Sequence, residues 1–372
     1  MKRYVWTLGT ATAMALALGA GPALSQIKIA AAGPMTGSNA SFGEQLKRGA
    51  EMAVAEINAA GGVNGQKLEL SIGDDACDPK QATAVANKLV SDKVVFVAGH
   101  FCSGSSIPAS KIYKEGKVLQ ITPASTNPKL TEEAFTEKNP LVFRTCGRDD
   151  VQGKTVGAYI IKNMKTKKIA ILHDKSPYGK GVADETKKAM NAGGVKEAMY
   201  EAYTDSDKDF TALISKMKQA KIDVIILGGY HTAGGLIIKQ SKEQGLAAQL
   251  IGFDSLVTDE FGQIAGAASD GVLMTFPPDP TLDPKNKALV EKFKADKYNP
   301  EGYTLFSYAA VKVWAAAANG AKTTDATKVA AAMRAGSYDT PVGRLAFDAK
   351  GDIKNPEYVF FEWKGGKYAQ KK

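Results

Sequence analysis

The first third of the chain alternates between short apolar runs and longer segments whose apolar residues recur at helical spacing. In residues 43–60, for example, Leu46, Ala50 and Val54 fall on one side of a helix that follows the apolar run 27–32. The same pairing of an apolar run with a helical segment recurs at 68–73 with 81–92 and at 94–99 with 105–115, before a last run at 118–122. Alternation of this kind predicts parallel strands with helices on both faces of a sheet.

The alternation then begins again in the middle of the chain. An apolar run at 168–173 precedes a helical segment at 178–192, and a run at 224–228 precedes one at 232–244. Two further runs follow these pairs, at 250–253 and 272–276. Two successive series predict an α/β protein with two Rossmann-like lobes, each built on a parallel sheet, rather than one large sheet.

The boundary between the lobes falls near residues 142–147, where the first series ends. After Pro277 and Pro278 the pattern predicts two more helices, which we expect to return to the first lobe. These helices cover residues 285–298 and 303–319. We therefore predict one lobe from residues 26–144 plus 277–344 and a second lobe from 145–276 plus 345–372. Several connections between the lobes would form a hinge rather than a loose linker.

The N-terminus has the layout of a secretory signal peptide, predicted to cover residues 1–25. Lys2 and Arg3 form a basic head, residues 4–18 are mostly apolar, and small residues precede a predicted cut before Gln26. The alternative is a membrane anchor, but the apolar run is shorter than the ~20 residues that a transmembrane helix needs. We expect an exported protein.

The net charge of +9 raises the question of a nucleic-acid partner. Cleavage would lower the charge to +7, and almost all of the remaining positive charge comes from lysine. The arginines left after cleavage are Arg48, Arg144, Arg148, Arg334 and Arg344. They do not cluster, whereas nucleic-acid recognition favours concentrated arginine. A solvated lysine-rich surface is the preferred interpretation, and no nucleic-acid partner is predicted.

Three cysteines in an exported chain suggest a disulfide. Cys77 and Cys102 each follow a predicted strand, and neighbouring parallel strands would bring these two positions together. Cys146 would then be left over, and we interpret it as a buried free thiol rather than a reactive one.

The patterns typical of enzymes are missing from the sequence. No Gly-x-Ser-x-Gly turn occurs, and the three histidines lack metal-ligand spacing. They are His100, His173 and His231. Residues 153–155 resemble the end of a phosphate loop, but Gly147 lies one position too far away, and Asp149 and Asp150 would repel phosphate. The sequence predicts a protein that is not an enzyme and has no cofactor or metal site.

In the first lobe, small polar residues at predicted strand ends indicate a candidate ligand site. Residues 99–105 lie between a strand and a helix N-terminus, and residues 122–126 follow the next strand. In open parallel sheets, ligands bind beyond the carboxyl ends of the strands, where backbone N–H groups and hydroxyls can hold a carboxylate. Simple helix capping is the alternative interpretation.

The second lobe has matching features at three strand ends. Tyr178 and Tyr230 follow the runs at 168–173 and 224–228, and Asp254 follows the run at 250–253. A single aspartate in this position is usually a helix cap, but here it could pair with an ammonium group that is held between the lobes.

These segments together resemble the periplasmic branched-chain amino acid binding proteins of ABC importers. The resemblance covers essentially the whole chain after the predicted cut. It rests on DDACDPKQA at 74–82, GHFCS at 99–103, ITPA at 121–124, IAILHDK at 169–175 and GGYH at 228–231. It implies a type I periplasmic binding protein fold with three crossovers between the lobes, and a disulfide between Cys77 and Cys102.

The resemblance also implies a role for each candidate site residue. Ser103 and Thr126 would hold the ligand carboxylate, while Asp254 would accept the ammonium group with help from Thr126 and the carbonyl of Ala124. Tyr178 and Tyr230 would close over the ligand from the second lobe. The side chain of the ligand would lie among Phe42, Phe101 and Tyr303.

The implied function is capture of leucine, isoleucine or valine in the periplasm, by a monomer that delivers it to an inner-membrane ABC permease. Three positions depart from the usual pattern: Asp254 where relatives carry the longer Glu, Tyr303 where Phe is common, and Cys146. The first two leave open another small ligand on the same fold, such as an amide, urea, a γ-amino acid or an aromatic acid.

Overall fold

The structure is a computed structural model that describes residue 1 and residues 26–371. Apart from its first residue, the predicted signal peptide lies outside the described residues. In the part of the chain that is described, strands and helices alternate as the sequence pattern predicts. The strands form two sheets and a small ribbon.

The first sheet is formed by the first five strands of the chain. These are β1 (Ile27–Gly33), β2 (Leu68–Asp74), β3 (Phe96–Gly99), β4 (Leu119–Thr122) and β5 (Val142–Arg144). They lie in the order β2–β1–β3–β4–β5, and all neighbouring pairs are parallel. Parallel pairing places the carboxyl ends of all five strands at one edge of the sheet, which is the edge that carries the predicted ligand loops.

The second sheet has seven strands. They are β6 (Ile169–His173), β7 (Met199–Ala202), β8 (Val224–Gly228), β9 (Gln249–Gly252), β10 (Leu273–Phe276), β13 (Val359–Lys364) and β14 (Lys367–Gln370), and the ribbon is β11 (Tyr338–Thr340) with β12 (Gly343–Leu345). The order is β14–β13–β10–β9–β8–β6–β7. Its core is parallel as predicted, whereas β13 and β14 add an edge whose antiparallel pairing was not predicted.

Twelve α-helices cover the sheets in the described part of the chain. They are α1 (Ala40–Ala59), α2 (Pro79–Ser91), α3 (Ser103–Glu115), α4 (Lys129–Thr136), α5 (Asp149–Asn163), α6 (Pro177–Ala192), α7 (Thr211–Ala220), α8 (His231–Glu243), α9 (Asp259–Ala265), α10 (Lys287–Ala295), α11 (Thr304–Ala321) and α12 (Ala326–Ala335). Among residues 26–371, no helix combines the length and the apolar character that a membrane span requires.

The strand β1 shows how one apolar run serves two cores. Ile29 and Ala31 pack in a core with residues of α1 and α11, while Ala30 and Ala32 pack in a second core with residues of α2 and α3. Successive side chains of a strand point to opposite faces, so a strand buried on both faces must be apolar throughout. This explains why residues 29–32 are continuously apolar rather than alternating with polar residues.

The chain passes between the two sheets three times, after β5, after β10 and before β13. After β10, helices α11 and α12 return to the core of the first sheet, as predicted for the segment beyond Pro278. The predicted fold, two α/β lobes joined by three crossovers, is confirmed. The lobe limits themselves, 26–144 plus 277–344 and 145–276 plus 345–372, remain a prediction.

Charged residues join the first and third crossovers. Arg144, which is fully buried at the end of β5, has its Nε 2.7 Å from one carboxylate oxygen of Asp352. The other oxygen of Asp352 lies 2.7 Å from Nη1 of Arg148, and the same guanidinium nitrogen lies 3.1 Å from Glu132. Burial would raise the pKa of Asp352, but Arg144 and Arg148 outweigh it and hold this pKa below its usual value.

Cys77 and Cys102 form a disulfide, with 5.5 Å between their Cα atoms, and Cys146 is a buried free cysteine. The two bonded cysteines follow β2 and β3, which are not neighbours because β1 lies between them. The disulfide therefore spans the end of β1 and fixes the loop that leads into α3.

Replacing both Cys77 and Cys102 with serine is expected to lower the free energy of unfolding by about 3–4 kcal/mol. The bridge closes a loop with a sequence separation of 25 residues, and breaking it frees that loop in the unfolded chain. Urea unfolding of both forms measures the difference. As a control, reductant should destabilise the wild type and leave the double variant unchanged; an unaffected wild type would contradict a stabilising disulfide.

Candidate functional site

Loops at the carboxyl ends of both sheets enclose a small, nearly filled cavity of about 10 Å³. The cavity is lined by Phe101, Ser103, Ala124, Tyr178, Tyr230, Asp254 and Ser255. Six of these residues are candidates from the sequence, and Ser255 is not. The first three follow strands of the first sheet, and the other four follow strands of the second. The cavity therefore lies between the lobes.

The first-lobe side of the cavity is a network of hydroxyls and backbone groups. The hydroxyl of Ser103, at the start of α3, accepts a hydrogen bond of 3.2 Å from the backbone N–H of Asn127, which leaves its own proton free. Thr122 donates to the carbonyl of His100 at 2.6 Å and accepts from the backbone N–H of Ser125 at 2.9 Å. The two ligand loops predicted from the sequence are thus bonded to each other.

His100 supports this network from beneath. Its ring is fully buried, with Nδ1 2.5 Å from the carboxylate of Asp75 and Nε2 2.9 Å from the hydroxyl of Tyr113. Both ring nitrogens are therefore hydrogen-bonded. The ring holds the backbone just before Phe101 in place.

Asp254 is the acidic group of the second-lobe side. One of its oxygens accepts hydrogen bonds from the hydroxyl of Tyr178 at 2.7 Å and from Nε2 of Gln152 at 3.0 Å. The other oxygen contacts the hydroxyl of Tyr303. Burial raises the pKa of Asp254, although these three donors oppose the rise by stabilising the charged form.

Aromatic rings surround the cavity. Phe42 stacks on Phe101 with 4.3 Å between ring centroids, and Tyr303 meets the same Phe101 edge-on at 5.6 Å. Tyr178 and Tyr230 lie 5.2 Å apart on the opposite side. Phe42, Tyr303 and Thr126 are predicted site residues that lie outside the cavity lining; the first two support rings or groups that do line it.

A sequence model of the family described as periplasmic binding protein matches residues 26–367. The chain belongs to this family. The Leu/Ile/Val-binding protein homolog 2 of Brucella abortus is 51% identical over 347 residues, which cover 93% of this chain and 92% of that protein. The resemblance stated from the sequence motifs is therefore confirmed.

Solved structures agree with the sequence relatives. The leucine-binding protein LivK of Thermotoga maritima superposes with a TM-score of 0.85 at 26% identity, covering 93% of this chain and 98% of that one. LivJ of Streptococcus pneumoniae, a branched-chain amino acid transporter substrate-binding protein solved with isoleucine, gives 0.84 at 27% identity, covering 93% and 99%. These neighbours share the two-lobed fold of this periplasmic binding protein.

In this periplasmic binding protein the lobes contact each other around the cavity. Asn127 donates a hydrogen bond of 2.5 Å from its amide to the carbonyl of Pro177, and Thr232 donates one of 3.1 Å to the carbonyl of Ser38. Proline at the first position of α6 follows Ser176, whose hydroxyl accepts from the N–H of Gly179, so the start of this helix is well defined. The cleft is closed in this structure.

The sequence reasoning missed Asp149, at the start of α5. Its side chain is fully buried, and neither carboxylate oxygen has a hydrogen-bond partner among residues 26–371. The backbone N–H of Asp149 donates to the carbonyl of Thr126 at 2.9 Å, which ties it to the predicted ligand loop at 122–126. The pair Asp149–Asp150 was visible in the sequence, but the periodicity did not predict α5, so nothing placed it at the cleft.

Proposed function

We propose that this periplasmic binding protein captures branched-chain or other aliphatic L-amino acids by closure of its two lobes. The observation that carries the proposal is the polarity of the cavity: hydroxyl and backbone groups on one side face a buried carboxylate, Asp254, on the other. An α-amino acid has the complementary pair of charged groups. The names of the relatives support this ligand class.

In the proposed complex, the ligand carboxylate binds the first lobe. Ser103 has a free hydroxyl proton, and the hydroxyl of Thr126 is buried without a hydrogen-bond partner in the described part of the chain. The N-terminus of α3 adds a favourable dipole for an anion. These neutral donors can hold a carboxylate without an arginine.

The ammonium group of the ligand binds Asp254 and the carbonyl of Ala124. Tyr178, Gln152 and Tyr303 hold the Asp254 carboxylate in one orientation, so that little ordering is required when the ligand arrives. Tyr178 and Tyr230 close over the ligand. The aliphatic side chain would contact Phe101, with Phe42 and Tyr303 behind it.

The biological setting follows from the same proposal. A leader cut before Gln26 would release the protein into the periplasm, where it would act as a monomer and deliver its ligand to an inner-membrane ABC permease. The ligand would be bound and released unchanged, with no catalytic step.

Another ligand class on the same fold would have to fit both sides of the cavity, the hydroxyl and backbone groups of the first lobe and Asp254 of the second. Amides, urea and simple aromatic acids lack the cation that Asp254 requires, so each would leave a buried carboxylate without a counter-charge. γ-Amino acids carry both charges, but with a longer separation between them. The contacts at the two ends of the cavity therefore favour α-amino acids.

Isothermal titration against a panel of ligands tests the proposal. We expect micromolar or tighter binding, about 8 kcal/mol, for leucine, isoleucine or valine, because nine heavy atoms can supply this free energy. Benzoate, urea and γ-aminobutyrate serve as controls for the other ligand classes. Heat from one of these controls, with none from any aliphatic amino acid, would contradict the proposal.

A further inference from the structure

Asp149 and Asp254 are two buried carboxyl groups at one site, and Asp254 has more hydrogen-bond donors around it than Asp149 has. Asp254 contacts Gln152, Tyr178 and Tyr303, which stabilise its charged form. Among the described residues, neither oxygen of Asp149 accepts a well-aligned hydrogen bond, although the hydroxyl of Thr126 lies close enough to favour its charged form. If only one of the two can remain charged in the closed cleft, it is Asp254.

The charges around Asp149 do not neutralise it. Arg144, on β5, attracts it, but this guanidinium is already paired with Asp352 at 2.7 Å and donates to the carbonyl of Ser125 at 2.7 Å. Asp150, on the same helix, repels Asp149 and pairs with Arg148 at 3.0 Å. The remaining titratable groups that face Asp149 carry no positive charge: Cys146, Tyr178, Tyr230, Asp254 and Tyr358.

The pKa of Asp149 agrees with this geometry. Burial raises it well above the usual value, and the negative charge of Asp254 raises it further, while Thr126 and Arg144 oppose the rise to a smaller extent. The start of α5 would favour an anion through the helix dipole, but no N–H of that helix donates to the carboxylate.

We infer that Asp149 is a neutral carboxylic acid in the closed complex, and that capture of an amino acid takes up one proton from the solvent. The inference rests on the proposed function, because it requires a zwitterion in the cavity. We infer also that opening of the cleft hydrates both carboxylates, so that both are ionised at neutral pH in the open form. Closure without protonation would leave two protein carboxylates and the ligand carboxylate facing one ammonium group in a dry site.

Protonation also makes Asp149 a hydrogen-bond donor. The new O–H can donate to the hydroxyl oxygen of Thr126, which then directs its own proton to the ligand carboxylate. Both side chains are buried, and neither has another partner among the described residues. The proton comes from the buffer and ends on one oxygen of Asp149, so the proposal adds a donor to the carboxylate end of the site.

Titration of the full-length mature protein with leucine, in phosphate and in Tris at pH 7, tests the inference directly. The two buffers differ in ionisation heat, and the difference in binding heat is expected to correspond to uptake of about one proton per leucine. Affinity should fall as pH rises between the open-state and closed-state pKa values, by up to about tenfold per pH unit. Equal heats in the two buffers, with leucine bound, would overturn the inference alone. Absence of binding by every amino acid of the panel would overturn the proposed function and the inference with it.

Asp149→Asn distinguishes a neutral Asp149 from an ionised Asp149 that binds the ammonium group of the ligand. Asparagine mimics the protonated side chain, so this variant should bind leucine at pH 7 at least as tightly as the wild type does at pH 5, without proton uptake. Asp150→Asn is the matched control and should keep the wild-type proton uptake. A folded Asp149→Asn variant that loses about 100-fold or more in affinity would overturn the inference. If the variant does not fold, the wild-type heats in the two buffers decide.

Discussion

Replacing Asp254 with alanine is expected to raise the Kd for leucine by about 10²- to 10³-fold. Removing one partner of a buried charge pair typically costs about 3–5 kcal/mol, because the remaining charge keeps its desolvation penalty. Here the remaining charge is the ligand ammonium, which retains the carbonyl of Ala124 but has no other ionised partner in the proposed complex. Titration calorimetry of the variant measures the loss.

Asp254→Asn, which removes only the charge of this side chain, should not weaken the ligand-free protein. Burial raises the pKa of Asp254, so its ionised form is less favourable in the folded protein than in the unfolded chain. Its contribution to stability therefore falls as pH rises through the unfolded value, and at neutral pH Asp254→Asn should unfold at the same or higher urea concentration than the wild type. Asp259→Asn, at an exposed position nearby, is the control and should bind normally. Unchanged leucine affinity in both Asp254 variants would place the ammonium site elsewhere.

Asp352→Ala is expected to lower the free energy of unfolding by about 3–5 kcal/mol, the largest stability effect that we predict. The substitution leaves Arg144, a fully buried guanidinium, without its counter-charge, and it also removes one partner of Arg148. Both arginines lie beside the first crossover and Asp352 lies on the third, so the loss acts where the lobes are joined. Urea unfolding measures the change.

The loss of folding stability at acid pH gives an independent test of the role of Asp352. Its pKa is lowered in the folded protein, so its stabilising contribution is present above the unfolded value of ~3.9 and is lost as pH falls through the folded value. Asp352→Asn should therefore lose less stability than the wild type on acidification below about pH 4. Asp339→Ala is a control that removes an exposed pair with Arg344 at 4.0 Å, and it should unfold like the wild type. An Asp352→Ala variant that also unfolds like the wild type would contradict a stabilising role for the ion cluster.

Periodicity in the sequence was sufficient for the parallel cores of both lobes. The apolar runs that became β1 and β8 are buried on both faces, and a strand of that kind has a continuous apolar sequence that is easy to recognise. Helix α5 was not recognised because small and polar residues such as Gly153 and Gly157 occupy the side that packs closely against α6. The antiparallel pairing of β13 and β14 was not predicted, because both strands lie at an edge of the sheet, where one-sided exposure interrupts the apolar pattern.

The residues of the candidate site also divide into those that the sequence could predict and one that it could not. Phe101, Ser103 and Ala124 could be proposed because they follow strands that meet at one edge of a parallel sheet, and Tyr178, Tyr230 and Asp254 because they do so in the second lobe. Asp149 could not, because its significance depends on the lack of a well-aligned donor, and that depends on residues distant in the sequence.

Local spacing along the chain by itself determined the two-lobed α/β fold and which loops face the cleft, because both follow from apolar periodicity and from the direction of parallel strands. Only the tertiary structure decided how the charges at the cleft are balanced. It places Tyr303 and Gln152 on Asp254, pairs Arg144 with Asp352, and leaves Asp149 buried without a well-aligned donor among the described residues. The protonation state of a carboxyl group depends on its burial and on neighbours brought from other segments, and local sequence does not contain that information.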